Sequence, residues 1–406
     1  MKRVVVTGMG IVSGLGSSVK EAFERLHIAK NCVQYSPKLE EYKGLNTKLI
    51  APVHGVTHNF DRTITRTMGY AALLGAVSAQ NAVEDSGLSA DDIIDGQTGV
   101  AYGSSTGAME NGFSNFVRSD IEKDTSYITA CTFPISMSHT AAANISLLFN
   151  TTGRLYNSSV ACASGAMSIG MAYEAIKNGV QTVMIAGGAE EAHVTMVETF
   201  DVLFSASLKN STPELTPSPF DVERDGIVVG EGAATLVLEE YEHAKKRGAK
   251  IYAEVLGFGT NTDGKHITSP NRVTQGKCFE LALEDANISP DDICYINAHG
   301  TGTTSGDICE SQAVMDVFKR AVPISSIKSY TGHTLAASGA IEAVLTIEMT
   351  RKNWFCPTLN LNQVDTNCAK LDYIKGEGRE IAGNIVMSNN FAFGGVNTSL
   401  IFKGEV

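Results

Sequence analysis

A four-residue run, Ala-Ser-Gly-Ala, occurs twice in this chain at the entrance to a buried helix. That repetition limits the fold more than any other feature. Ala163-Ser164-Gly165-Ala166 opens the apolar stretch "MSIGMAYEAIKNG", and Ala337-Ser338-Gly339-Ala340 opens "IEAVLTIEMTRKN". Two glycine-bearing valine runs, "VVVTGMG" and "AEVLGFG", repeat in the same sense, so the chain reads as one α/β unit duplicated. The charged, glycine-containing stretch "EEYEHAKKRGAK" reads as a solvated helix end and sets the boundary near Arg247 to Lys250, giving halves 1–248 and 249–406. Further apolar runs ("TGVAYG", "TVMIAGG", "ATLVLEE", "CYINAHG", "GNIVMSNN") alternate with helical patterns, as in sheets covered on both faces. Several of these runs end in glycine or a small polar residue, where α/β sheets usually carry their sites.

Composition removes several function classes. A formal charge of -12 opposes binding to a nucleic acid backbone, and there is no concentrated basic patch to reverse that. The apolar run near the N-terminus is broken by Thr7, Gly8 and Gly10, so it reads as a strand and turn rather than a signal peptide. No apolar stretch reaches the length of a membrane span, and the expected location is the cytoplasm. The cysteines, at 32, 131, 162, 278, 294, 309, 356 and 368, show neither disulfide nor zinc spacing, and no metal site is expected.

Cys162 sits among small residues, "VACASGAMS", after a short strand and at the start of a helix. The helix dipole favours a thiolate there, and its backbone N–H can serve an oxyanion; the alternative is a packing cysteine. In the second copy Ala336 occupies the matching place. "INAHGTGTTSGD" puts His299 directly after an apolar strand, and "KSYTGHTLAASG" puts His333 three residues before the position that matches Cys162. A pseudo-twofold axis would bring both loops to one centre. Lys328 ends another apolar run and can stabilise developing negative charge. Asp307 and Glu310 either favour a helix N-terminus or orient Lys328 or a histidine. "SNNFAFGGVN" pairs Gly394 and Gly395 with Phe391 and Phe393, a glycine turn with aromatic walls that either moves or is simply packed.

As a set, these motifs resemble the β-ketoacyl-acyl-carrier-protein synthases of the elongating kind, types I and II. The resemblance runs from "VVVTGMGIVSGLG" through "PFDVERDGIVVGEGAATLVLEE" and "GTNTDGKHITSPN" to "FAFGGVNTSLIF". It implies the thiolase fold, a five-layered α-β-α-β-α sandwich of two duplicated halves, and a homodimer or a heterodimer with a related chain. It also implies the reaction: decarboxylative condensation of an acyl chain held on Cys162 with malonyl-acyl carrier protein, elongating a fatty-acid or polyketide-like chain by two carbons without a cofactor. By the same resemblance His299 and His333 hold the malonyl thioester and its enolate, and Lys328 is the motif lysine. Glu310 is then the acidic partner, the Phe393 N–H joins that of Cys162 in the oxyanion hole, and Thr301 and Thr303 bind the pantetheine arm. Gly107, Ala108, Phe133, Met137 and Phe200 are expected along the acyl path, with Phe391 and Gly394 in the gate loop. Arg62 and Arg66 are expected to dock the carrier protein, with a salt-sensitive association.

Neighbouring classes separate within the sequence. No second cysteine stands where thiolases carry their base, and the second polar partner is His333 rather than the asparagine of type III synthases. The inactive chain-length factors lack the nucleophile that Cys162 supplies. "GMGIVSG" has the wrong glycine spacing for a dinucleotide fingerprint. Departures from the family pattern are Gly302 for serine, Thr304-Ser305 for a proline, Ala392 for glycine, Ile227 for phenylalanine and Thr63 for a cation. They suggest, as an alternative, a ketosynthase dedicated to a secondary pathway such as polyene synthesis. A Cys-His acyl hydrolase or a non-catalytic partner subunit are the other readings.

Overall fold

The computed structural model describes residues 1–404, built around one continuous sheet in two symmetric parts. In chain order the strands are β1 (Val4–Ser13), β2 (Gln34–Tyr35), β3 (Leu49–Ile50), β4 (Thr98–Gly103), β5 (Leu155–Tyr156), β6 (Val183–Glu190) and β7 (Gly232–Glu240). They continue with β8 (Ala253–Thr262), β9 (Tyr295–Asn297), β10 (Pro323–Ser325), β11 (Asp372–Tyr373), β12 (Ile385–Ala392) and β13 (Val396–Gly404). The first half contributes β5-β4-β6-β7-β1 and the second β11-β10-β9-β12-β13-β8, while β2 and β3 form a separate ribbon.

In each half parallel strands lead to an antiparallel pair, β6–β7 or β12–β13. Each pair then meets an antiparallel outer strand, β1 or β8. Those two strands pair with each other over only three residues, Val4 to Val6 against Val255 to Ala253. A short antiparallel junction of equivalent strands is what a twofold axis between the halves requires.

The glycines in β1 and β8 explain their recurrence. A Cβ on Gly8 or Gly10 would lie 2.1 and 2.0 Å from the Ala82 and Ser78 carbonyl oxygens of helix Tyr70–Ser86. On Gly257 or Gly259 it would lie 2.4 and 2.3 Å from the Ala282 and Cys278 oxygens of helix Arg272–Ala286. Each outer helix therefore presses directly onto strand backbone in both halves, and any side chain at these places would push the layers apart.

Between the sheet halves lie the two helices that the repeated four residues open, Ser164–Lys177 and Ser338–Lys352. Every residue from Ser338 to Thr350 is buried, so this helix has no polar face to mark an orientation in sequence. With the outer helices this gives the α-β-α-β-α order expected. Among the described residues no helix is long and apolar enough to cross a membrane.

Candidate active site

The two central helices meet at their N-termini, and their small residues are what allow it. A Cβ on Gly165 would be 2.7 Å from the Ala336 carbonyl oxygen, and one on Gly339 would be 2.7 Å from the Ala166 nitrogen and Cβ. The contact is reciprocal across the pseudo-twofold. Each helix is preceded by a tight turn, Ala161–Ala163 or Leu335–Ala337, and each turn begins with a non-glycine residue in the left-handed region, Ala161 at φ 46° and Leu335 at φ 48°. Holding such a residue there costs roughly 1–3 kcal/mol, borne by the packing around it. In the first copy that strained turn presents the Cys162 thiol; the second copy places the Leu335–Ala337 turn beside it.

Cys162 lines a solvent-open pocket together with His299, His333, Phe200, Phe391, Phe393, Thr301 and Thr303. The His299 and His333 rings stand edge to face, with centroids 5.3 Å apart. Aromatic rings continue the wall on either side: Phe391 is 5.6 Å from His299, and Phe200 lies 6.4 Å from His333 and 5.6 Å from Phe393.

Different elements fix the two imidazoles. His299 follows β9, and its backbone N–H and that of Gly300 donate to the two carboxylate oxygens of Glu310, each at 2.8 Å. His333 bridges to Val229, and its Nδ1 faces the Ser338 hydroxyl at 3.0 Å. That hydroxyl can donate to Nδ1, leaving the Nε2–H free to donate. Burial, reinforced by the Lys328 charge, holds both histidines well below the ordinary imidazole range, so both are neutral. Burial also pushes the Cys162 thiol up to about 12, with the Lys328 charge the first influence against it. Burial of the thiol therefore outweighs the helix dipole that the sequence offered as a thiolate stabiliser.

Of the alternatives open for Glu310, the structure favours the histidine over Lys328. The partners of Glu310 are the backbone N–H groups of His299 and Gly300; the carboxylate that meets Lys328 is Glu342, 2.5 Å from its ammonium, with both side chains buried. Asp307 likewise serves the turn, accepting from the Phe220 N–H at 2.8 Å and the Gly302 N–H at 3.2 Å, and it pairs with buried Arg224. Glu342 and Arg224 escaped the sequence reading. A glutamate inside the otherwise apolar "IEAVLTIEMT" was the available signal for the first, since such a charge is rarely buried without a partner.

The acyl-path expectations divide. Phe200 is in the pocket, whereas Gly107, Ala108, Phe133 and Met137 do not line it. Gly107 sits against the Met137 carbonyl and Ala108 packs on Gly69, so this group closes on itself, while Phe133 is 63% exposed. Gly394 lies just outside the lining and donates its N–H to the Ile267 carbonyl at 2.8 Å, tying the Phe/Gly turn to a strap, residues 267–270, that does line the pocket. Arg62 and Arg66 are exposed on the short helix Arg62–Thr65 and its C-cap, away from the pocket lining. Among the described residues no group of three or more His, Cys, Asp or Glu side chains gathers at metal-binding geometry.

Residues 1–244 match the family model "Beta-ketoacyl synthase, N-terminal domain", and residues 252–362 match "Beta-ketoacyl synthase, C-terminal domain". The chain belongs to the β-ketoacyl synthase family. Within it, the chain is 37% identical to 3-oxoacyl-[acyl-carrier-protein] synthase 1 of Haemophilus influenzae over 99% of both chains. It superposes on the crystal structure of a β-ketoacyl synthase from Burkholderia phymatum with a TM-score of 0.98 at 50% identity, covering 100% of each chain. A ketosynthase solved in complex with its type II polyketide acyl-carrier protein, AntDE:AntF, gives a TM-score of 0.89 at 30% identity, also covering 100% of each chain. These matches carry the thiolase-like fold and the ketosynthase class for this β-ketoacyl synthase.

Proposed function

We propose that this β-ketoacyl synthase joins an acyl chain, held as a thioester on Cys162, to the two-carbon unit of malonyl-acyl carrier protein, releasing CO2 and 3-oxoacyl-acyl carrier protein. One observation carries the assignment of roles: a single thiol and two neutral imidazoles share one pocket wall, with the imidazoles 5.3 Å apart.

In the first half-reaction Cys162 gives up its proton, and its sulfur attacks the carbonyl of an acyl-carrier thioester. The backbone N–H groups of Cys162 and Phe393 are the donors for the resulting oxyanion. The carrier thiol leaves with that proton, and the acyl group stays on Cys162. Malonyl carrier protein then binds with its arm along Thr301 and Thr303. The bond to its carboxylate breaks, CO2 departs, and the electron pair passes to the thioester oxygen as an enolate. Neutral His299 and His333 donate hydrogen bonds to that oxygen, which an imidazolium pair beside Lys328 would do at greater desolvation cost. The enolate carbon attacks the acyl carbonyl, the Cys162 sulfur leaves, and one proton from solvent restores the thiol. Lys328, neutralised by Glu342, supports the charge that develops near the sulfur.

The carrier protein approaches the pocket mouth, with Arg62 and Arg66 as its cationic contacts. Exposed Phe133, Leu147 and Leu155, at the β5 side of the sheet, fit a second copy of this chain or a related one. Intact-mass measurement tests the reading. Acyl carrier protein should add an acyl mass that Cys162→Ala abolishes, and added malonyl carrier protein should convert it to a product two carbons longer. Release of the unextended acid would instead mark a hydrolase.

A further inference from the structure

Helix Arg272–Ala286 brings a single side chain, Gln275, into the wall of the Cys162 pocket. Gln275 is 1% exposed, and its Oε1 has no hydrogen-bond partner among the described residues. Its polar neighbours are satisfied among themselves. Asn397 Nδ2 donates to Asp263 Oδ1 at 2.7 Å, the Thr274 hydroxyl donates to the same carboxylate oxygen, and Asn261 Nδ2 donates to the Thr274 carbonyl at 2.8 Å. These bonds tie the first turn of the helix to β8 and β13. They fix the backbone of Gln275 without using its amide oxygen.

The position of that oxygen narrows what can meet it. The Phe391 ring is 5.6 Å from His299 and 6.0 Å from Phe279, which follows Gln275 by one turn of the helix. Gln275 is therefore set back from the imidazoles, on the Phe279 side of that ring. It shares the pocket wall with the strap 267–270 and with Thr301 and Thr303, whose hydroxyls lie 3.0 Å apart. A buried acceptor left unpaired is costly, and what this one needs is an N–H or O–H. Of the parts of an acyl-carrier thioester, an alkyl chain offers no donor, and the thioester carbonyl and malonyl carboxylate only accept. The pantetheine arm does offer donors. Its amide N–H groups are the ones closest to the thioester, the nearer separated from the sulfur by an ethylene link.

We propose that Gln275 is a binding residue for the pantetheine arm, its Oε1 accepting from the amide N–H nearest the thioester, so that it selects substrates by their arm and not by their acyl chain. The proposal rests on the acyl-transfer reading above. Both half-reactions bring an arm into this pocket, so the contact serves acyl transfer to Cys162 and CO2 release alike.

The test uses Gln275→Met, which keeps the length of the side chain and removes the acceptor. Carrier protein bears either the natural arm or an arm in which an ester oxygen replaces that amide N–H. Three values of kcat/KM are measured, for Cys162 acylation by butanoyl carrier, for acylation by dodecanoyl carrier, and for CO2 release from malonyl carrier on acylated enzyme. With the natural arm all three should fall about tenfold in Gln275→Met, through KM and not kcat. The ester arm should cost wild type about tenfold and the variant less than about twofold, because the contact it removes is already gone. The thermal unfolding midpoint should hold or rise, since an unpaired buried group has been removed. A kcat/KM equal to wild type, a loss confined to one acyl length, or an ester penalty as large in the variant as in wild type overturns the assignment. Should Gln275→Met fail to fold, Gln275→Leu gives the same readout. Wild-type enzyme that gains no acyl mass from the natural arm overturns the acyl-transfer reading itself, whereas acylated wild type with unchanged variants overturns the Gln275 contact alone.

Discussion

Lys328 places its ammonium 2.5 Å from Glu342, and each side chain is 2% exposed or less. The other Glu342 oxygen accepts from Asn390 Nδ2 at 2.7 Å, so the carboxylate is held from two elements at once. Removing one member of such a pair strands a buried charge. Lys328→Ala should lower the unfolding free energy by about 3–5 kcal/mol, and Lys328→Ala with Glu342→Ala by less than the sum of the single changes. Urea denaturation measures both, and a Lys328→Ala curve within about 1 kcal/mol of wild type contradicts the pairing.

Reactivity of Cys162 should climb with pH well past the range of an ordinary thiol. Only the thiolate is alkylated, and burial pushes this group up to about 12, so below that value each pH unit multiplies the thiolate about tenfold. Iodoacetamide labelling of Cys162 should therefore rise about a hundredfold between pH 7 and pH 9. A plateau near pH 8.5 is the outcome that disagrees.

The opposite sign applies to the imidazoles. Both are held below the ordinary histidine range, so their neutral, donating form persists as pH falls and is lost only at the depressed value. Single-turnover CO2 release from pre-acylated enzyme should change less than about twofold from pH 8 to pH 6. A decline centred near 6.5, the unperturbed imidazole value, contradicts this.

Gly339 marks the closest approach of the central helices. Gly339→Ala inserts a methyl 2.7 Å from Ala166 backbone, where nothing flexible can give way. Stability should drop by about 1–3 kcal/mol, and Cys162 acylation should slow with it because the displaced helix carries the Cys162 turn. Unchanged acylation kinetics in a destabilised variant would detach the turn from the helix contact.

Much of the site was legible because the residues that carry chemistry stand in local patterns. His299 follows an apolar run, His333 precedes a buried helix, both sit in glycine turns, and Cys162 heads a small-residue helix entry, so the repeat placed all three at one centre. Glu310 shows where that reasoning ends. Its sequence neighbours point to a role beside the histidines, which the structure gives it through two backbone N–H groups, yet nothing local distinguishes that from pairing with Lys328. Glu342 is 14 residues from Lys328 in a helix with no polar face, and only the docking of helix Ser338–Lys352 brings the two together.

By itself the sequence determined the duplication, the α/β layering and which thiol and imidazoles are candidates for the site, since these follow from residue type and short-range periodicity. Tertiary structure alone decided which charges are paired, how far burial moves the thiol and imidazoles, and where the pocket stops. Those properties depend on the distance between segments remote in the chain and on the water excluded between them, and neither is written in any one stretch of residues.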